Sequence, residues 1–366
     1  MPAGRRDGRT TPPGTLDSRS THYRGGMPIH NFSPLRGRRV EFTIDSEAVK
    51  NNILGDPTTR RVAVYLPEGY DDSDETYPVF VDLVGFTGSG LAHFNWRPFG
   101  DNIPQRLDRL VAAGTMGPVV TVFPDCFTSL GGNQYINSAA MGNWEDFLID
   151  EVLVEVEKRF RVKPGREHRA VFGKSSGGYG AIVHGLRRAD AWGAVACHSG
   201  DMGFLLCYLT AMPQLLDTVN EHGGIAGLLA HFEAKPKLSS DDTHRLMDMA
   251  MAATYDPDVD SPKGIRLPLD LTTGELIEER WANWMRHDPV QLVRQPECQA
   301  NLRSLNGLYI DCGSKDQYAL VYGARAFKRE LEKAGIDHHY EEFDDDHTAV
   351  DYRQDVSFPY LYQAIA

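Results

Sequence analysis

Ala170-Val171-Phe172-Gly173-Lys174-Ser175-Ser176-Gly177-Gly178 is the stretch on which the fold turns. An apolar run of strand type passes directly into Gly-Lys-Ser-Ser-Gly, and Gly177–Arg187 beyond it reads as a helix. A strand that turns into a helix around a serine forces that serine into a strained backbone conformation. Small residues two before and two after it keep the two elements from colliding. The hydroxyl then projects from the sheet edge, and the next amide points to where a bound carbonyl oxygen would lie. Two serines compete for this role. Ser175 has glycines at both flanking positions, whereas Ser176 has Lys174 at the first, so Ser175 is favoured and Ser176 supplies a backbone amide. Lys174 is an uncommon neighbour, read either as solvent-facing or as influencing an anionic substrate group.

A hydroxyl is a weak nucleophile at neutral pH and needs a histidine base, itself oriented by a carboxylate. In chain order the serine should be followed by the acid and then the base. Leu308-Tyr309-Ile310-Asp311 reads as a strand, and Asp316 lies in the loop beyond it, where a carboxylate can reach an imidazole. Asp311, still on the strand, is the rival. Further on, Asp344-Asp345-Asp346-His347 follows a strand ending at Phe343, and His347 sits in the loop before the last helix, the expected place for the base. His338 and His339 stand at the opposite end of that strand and read as surface or packing residues. The three aspartates read as solvated, with no matching cluster to make a metal site.

The rest of the chain alternates strands and helices. Arg39–Ile44 and Arg61–Leu66 read as an antiparallel pair. Pro78–Val84 and Pro118–Phe123 are continuous apolar runs, as in strands buried on both faces. Ile103–Ala113 and Asn143–Phe160 have amphipathic helical spacing, the latter with Phe147, Leu148, Val152, Leu153 and Val156 on one face. His168–Phe172, Gly193–Cys197, Gly307–Asp311 and His338–Phe343 read as strands, Tyr318–Ala334 as a helix, and a terminal helix starts near Val350. This alternation predicts an α/β fold with a mostly parallel central sheet and helices on both faces. Residues 201–300 break it with helical segments at Phe204–Leu216, Gly224–Phe232 and His244–Ala253, too long for an ordinary connection and read as an inserted helical cap or lid. The expected organisation is a flexible tail over residues 1–37, a core over 38–200 and 301–366, and the cap between.

Composition narrows the function classes. The 366 residues carry 51 acidic and 38 basic side chains, a net charge of −13, with 41% hydrophobic residues. That apolar share supports a core and argues against disorder. The acidic balance argues against binding nucleic acid, which needs a basic footprint. No run approaches the ~18 apolar residues of a membrane span. Cys126, Cys197, Cys207, Cys298 and Cys312 form no Cys-x-x-Cys pair and read as buried thiols. The first 26 residues lack an apolar signal region, so a cytoplasmic protein is expected, starting at Met1 or Met27.

Gly173–Ala181 (GKSSGGYGA), Phe123–Cys126 (FPDC), Gly142–Phe147 (GNWEDF), Gly313–Asp316 (GSKD) and the late His347 together resemble the esterase D-like putative-esterase family of α/β-hydrolases. That family includes S-formylglutathione hydrolase and the mycolyltransferases. The resemblance covers residues 38–200 and 300–366 and implies the α/β-hydrolase fold, with Ser175, Asp316 and His347 as catalytic triad. It also implies the amides of Phe86 and Ser176 as oxyanion-hole donors. The loop Val84-Gly85-Phe86-Thr87 looks like the oxyanion loop of S-formylglutathione hydrolase. Lys174 and the long insertion depart from the family's pattern.

The expectation is a serine esterase cleaving a carboxylic ester or thioester through an acyl-enzyme. It needs no cofactor or metal, and its partner is a small-molecule ester. A homo-oligomer is compatible with the sequence. Acyl transfer to an alcohol acceptor would use the same triad, and a non-catalytic binding scaffold is the reading from another class. Gly85, Trp144, His198, Trp281 and Trp284, with Met247, Met249 and Met251, are candidates to line the substrate pocket. For Trp144 and His198 the rival reading is packing.

Overall fold

The computed structural model describes residues 30–366. Eight strands form one sheet: β1 (Arg38–Asp45), β2 (Thr59–Leu66), β3 (Val79–Leu83), β4 (Val120–Pro124), β5 (Arg169–Lys174), β6 (Ala194–His198), β7 (Gly307–Gly313) and β8 (His339–Phe343). Their spatial order is β1-β2-β4-β3-β5-β6-β7-β8. β1 and β2 pair antiparallel, as do β2 and β4, and every later pairing is parallel. In the middle of the sheet Val171 lies beside Val195, and Val195 beside Leu308. β3 to β7 are almost wholly buried, which is why they read as apolar runs rather than as alternating patterns.

The pleat divides the core in two. Phe80, Phe123, Phe172 and Tyr309 face helices α1 (Ile103–Ala112) and the C-terminal helix, with Leu107, Leu110, Phe358 and Leu361 packing against them. Val81, Val122, Val171 and Val195 face the other way, toward α2 (Ser176–Arg187), the segment Trp144–Arg159 and the insertion. Asn102 caps α1 with a reciprocal bond to Gln105, and Pro104 sits in its first turn. Where continuous helix was expected over Asn143–Phe160, residues Phe147–Val152 wind as π-helix between two α-helical pieces.

Residues 199–306 join β6 to β7. The expected helix Phe204–Leu216 is broken: Phe204–Cys207 ends at Tyr208, and Met212–Glu221 begins anew with Pro213 in its first turn, where the missing amide costs nothing. Ile225–Ala234 and α3 (Ser240–Tyr255) follow, the latter capped by Ser239. Glu278–Met285, Pro289–Leu292 and Pro296–Arg303 complete the insertion. Both of the last two helices pack on α2, as crossover elements of the sheet. α4 (Leu320–Ala334) and α5 (Gln354–Ile365) complete the chain. α4 starts later than Tyr318 because Ala319 takes a left-handed conformation and the Tyr318 amide is bonded to Asp316.

The expectation of a tail over residues 1–37 is corrected in its last part, and residues 1–29 lie outside those described. Asn31 donates to Asp101, the Arg36 amide to Asp108, and the Gly37 amide to the Tyr65 hydroxyl, so this segment is fastened to the core. All five cysteines are free thiols, four of them buried. No helix among the described residues is long and apolar enough to cross a membrane.

Candidate active site

At the end of β5, Ser175 adopts φ 59° and ψ −125°, a combination that non-glycine residues rarely take. The turn is possible because of the flanking glycines. A Cβ on Gly177 would lie 1.8 Å from the Leu83 carbonyl oxygen, and one on Gly173 would lie 2.4 Å from that same oxygen. The Ser175 amide donates to the His198 carbonyl at 3.0 Å, and its own carbonyl accepts from Tyr179 at 2.9 Å. The elbow is thus tied to β6 on one side and to α2 on the other.

Two strands further along the sheet edge, Asp316 and His347 meet. His347 Nδ1 lies 2.7 Å from Asp316 Oδ2, while Asp316 Oδ1 accepts from the Tyr318 amide at 2.9 Å. Both residues are buried, at 8% and 7% exposure, so their pairing is shielded from competing water. Gly313 lets the two loops touch, since a Cβ there would lie 2.5 Å from the Asp345 carbonyl oxygen. The Lys315 amide then bonds that oxygen at 3.0 Å, and Gln317 Oε1 accepts from the His347 amide at 3.0 Å. The Tyr318 ring stands edge-on to the imidazole, 4.9 Å between centroids, and its hydroxyl meets His244 Nε2 of α3 at 3.0 Å.

The loop after β3 approaches the elbow from the other side. A Cβ on Gly85 would sit 3.6 Å from Ser175 Cβ, so this loop lies in contact distance of the serine. It is clamped from behind: Tyr135 donates to the Val84 carbonyl at 2.7 Å, and Gly132 donates to the Phe86 carbonyl at 2.8 Å. Gln134 and Tyr135, both at φ 61°, spend backbone strain to present these contacts. Among the described residues no backbone carbonyl accepts from the Phe86 or Ser176 amide.

Other sequence candidates fall elsewhere. His198 is held in the core and is not offered to a leaving group: Nδ1 pairs with Asp311 Oδ1 at 2.7 Å and Nε2 with Ser357 Oγ at 2.9 Å. Asp311, the rival acid, is occupied by His198, by Tyr309 and by Arg353 Nε at 3.0 Å. Trp144 is 1% exposed and its indole donates to the Met141 carbonyl, which makes it packing beneath Arg60 rather than a substrate wall. Trp281 and Trp284 are buried in an aromatic group with Tyr208 and Tyr255, and the Trp284 indole N–H has no partner among the described residues. Lys174 forms no ion pair among the described residues. Burial lowers its pKa, partly offset by the Asp351 and Asp316 carboxylates.

Beside the His347–Asp316 pair lies a polar cluster that the sequence did not announce. Gln134 Nε2 donates to Asp201 Oδ2 at 2.9 Å, and to the hydroxyls of Tyr208 at 3.0 Å and Tyr255 at 2.9 Å. Tyr208 donates in turn to Asp201 at 2.8 Å. Burial raises the Asp201 carboxyl above its ordinary range, opposed by these donors and by His347. One member, Gln134, is a core loop residue and the other three belong to the insertion, so no local pattern could have joined them. A groove of about 1380 Å³ lies elsewhere, between residues 30–36, α1 and the segment before α5. Its Arg97, Arg106 and Arg109 are already matched by Asp101, Asp351 and Asp355.

A mostly parallel sheet with a strained serine between strand and helix, and an Asp–His pair on the loops after its last two strands, defines an α/β-hydrolase fold. The chain belongs to the family described as "Putative esterase", whose model matches residues 55–357. It is 33% identical over 168 residues to Esterase Rv1288 of Mycobacterium tuberculosis (strain ATCC 25618 / H37Rv), covering 43% of this chain and 34% of that protein. The chain thus spans about a third of the length of that curated relative. Among solved structures, a ferulic acid esterase superposes with a TM-score of 0.58 at 20% identity, over 90% of this chain and 100% of that one. An S-formylglutathione hydrolase from Agrobacterium tumefaciens superposes with a TM-score of 0.55 at 15% identity, over 93% and 100%.

Proposed function

We propose that the protein is a serine hydrolase of carboxylic esters or thioesters. The observation that carries this is the strained Ser175 at the sheet edge, with the buried His347–Asp316 pair on the loops two and three strands away. Ser175 Oγ attacks the ester carbonyl carbon while His347 Nε2 takes its proton. Asp316 Oδ2 accepts from the Nδ1 hydrogen, which fixes the tautomer and stabilises the imidazolium. The carbonyl oxygen, now an alkoxide, receives the amides of Phe86 and Ser176, each such donor being worth about 3 kcal/mol in the transition state. Collapse expels the alcohol or thiol, protonated by His347, and leaves an acyl ester on Ser175. Water activated by the same imidazole then releases the carboxylic acid and restores the serine. Membership of the esterase family and the likeness to a ferulic acid esterase and an S-formylglutathione hydrolase support the reading.

A fluorophosphonate probe tests it. We expect stoichiometric labelling of one site, mapped to Ser175 by mass spectrometry, and no labelling of Ser175→Ala. A burst of p-nitrophenol from p-nitrophenyl acetate, equal in amplitude to the enzyme, should report the acyl intermediate. Unlabelled wild-type protein that hydrolyses no ester of a chain-length series would refute it.

A further inference from the structure

The short loop from Asp316 to Tyr318 grips His347 at three points. Asp316 Oδ2 holds its Nδ1, and Gln317 Oε1 accepts from its backbone amide at 3.0 Å. Tyr318 sets its ring across the imidazole, with 88° between the planes and 4.9 Å between the centroids. The terminal torsion of a histidine is broad, so one hydrogen bond at Nδ1 leaves the ring able to swing about it. An aromatic ring standing across it in contact limits that swing. Tyr318 is itself fixed at its near end. Its amide donates to Asp316 Oδ1 at 2.9 Å, and the left-handed Ala319 (φ 61°, ψ 17°) turns the chain into α4 directly behind it.

The far end of Tyr318 is held by the insertion. Its hydroxyl lies 3.0 Å from His244 Nε2 of α3, with the two rings 5.4 Å apart. A phenol both donates and accepts, so this bond forms whichever tautomer His244 adopts. Helix α3 is a firm support for it. The C-terminal half of α3, Asp248–Tyr255, is buried, and there Ser138 donates to the Ala253 carbonyl at 2.6 Å and Gln134 to the Tyr255 hydroxyl at 2.9 Å. A helix carries that anchorage to His244 over about 16 Å, at about 1.5 Å per residue. The N-terminal half is braced as well: Arg245 Nε donates to Thr218 Oγ1 at 2.7 Å, and Lys235 pairs with Asp242 at 2.7 Å. Two half-buried side chains, His244 and Tyr318, thus join a braced helix to the imidazole.

Resting on the esterase reading, we propose that Tyr318 is a positioning residue for the His347 base and that His244 sets Tyr318, so that the insertion acts on the base through this pair. Their part is to fix where Nε2 points, not to exchange a proton. The imidazole must serve Ser175 Oγ and then the leaving group with that same nitrogen, and a ring free to swing serves both poorly. Contacts that only orient the base act on the transition state, so their loss falls on kcat and leaves KM nearly alone. The hydroxyl carries the tie to His244, whereas the ring alone carries the packing on His347.

The test compares Tyr318→Phe, His244→Leu, their double variant, and His244→Gln, whose amide can still bond the phenol. The readouts are steady-state kinetics on p-nitrophenyl acetate and the rate of fluorophosphonate labelling of Ser175, both per folded molecule. We expect Tyr318→Phe and His244→Leu each to lower kcat and the labelling rate by about fivefold or more, with KM within about twofold. The double variant should fall no further than either single one, and His244→Gln should recover most of the loss. Should His244→Leu not fold, Tyr318→Phe decides alone, because it keeps the ring and removes only the tie. A smaller loss in Tyr318→Phe overturns the proposal. So do lower urea midpoints with kcat unchanged, which mark a packing role, losses that multiply in the double variant, or a change confined to KM. Wild type that labels at Ser175 at the same rate as these variants overturns this inference and leaves the esterase reading standing. Wild type that neither labels nor hydrolyses esters overturns the esterase reading, and this inference with it.

Discussion

Replacing Asp248 by asparagine should stabilise the protein, and should do so more as the pH rises. The side chain is 3% exposed, and its carboxyl is pushed up to about 7 from the 3.8 of an open aspartate, by burial first and with Arg245 opposing. Between those two values the folded protein holds a proton that the unfolded chain has released. Stability therefore falls as pH climbs from about 4 to about 7, and above that the full penalty is present. Three units at ~1.4 kcal/mol each give about 4 kcal/mol at pH 8.5, and about 1.5 kcal/mol at pH 5. Asparagine keeps the shape without the charge, so the variant should exceed the wild type by about those amounts. Urea denaturation of both proteins at the two pH values measures this. The comparison removes every shared titration, including those of Asp201 and Cys207 on the neighbouring elements, provided the substitution leaves them in place. A gain equal at both pH values, or a loss at pH 8.5, would show that the carboxyl is ionised and satisfied in the fold, and the reasoning would fail.

Three further outcomes follow from the site. Asp316→Asn should lower kcat by about 10⁴ with KM little changed, since the imidazole loses its tautomer and its counter-charge; steady-state kinetics on a p-nitrophenyl ester measures it. Gly177→Ala should destabilise the fold by about 3 kcal/mol or more, because its Cβ would stand 1.8 Å from the Leu83 oxygen on a neighbouring strand; urea midpoints should fall and labelling of Ser175 should be lost. Asp311→Asn should cost about 2 kcal/mol, because Arg353 Nε and His198 Nδ1 lose a charged acceptor in the core while Glu341 still pairs with the guanidinium, and folded protein keeps its fluorophosphonate labelling. Loss of labelling in the folded variant would instead make Asp311 part of the reaction.

The parts of this site that could be read in the sequence are those held by local geometry. A strand, two glycines and a serine have one mechanical solution, and the structure places Ser175 in it. Asp316 and His347 were legible because each sits just past a strand, and a parallel pair of strands delivers such loops to one edge. Where the reading strayed, the cause was pairing across distance. Trp144 and His198 look identical in sequence whether they face a substrate or a core partner, and their partners Met141 and Ser357 are what decide. The Gln134–Tyr255 bond joins residues 121 apart and leaves no periodicity. Asp248 did leave a trace, as the one acidic residue of α3 between His244 and Tyr255, but only the folded arrangement says what it faces.

The line Ser357–His198–Asp311 has a consequence of its own. Its spacings, 2.9 and 2.7 Å, are those of a working serine–histidine–aspartate relay, yet Ser357 has no exposed surface at all. One polypeptide thus holds, besides the relay proposed at Ser175, a sealed line of the same three side-chain types. A covalent probe offered to this protein is answered against its own internal blank: the same three side-chain types, with Arg353 and Tyr309 on the aspartate and without a strained turn, an anion cradle or a way in. Any difference in reactivity between Ser175 and Ser357 measures what those differences in setting contribute together, free of the differences in solvent, concentration and temperature that separate one protein from another.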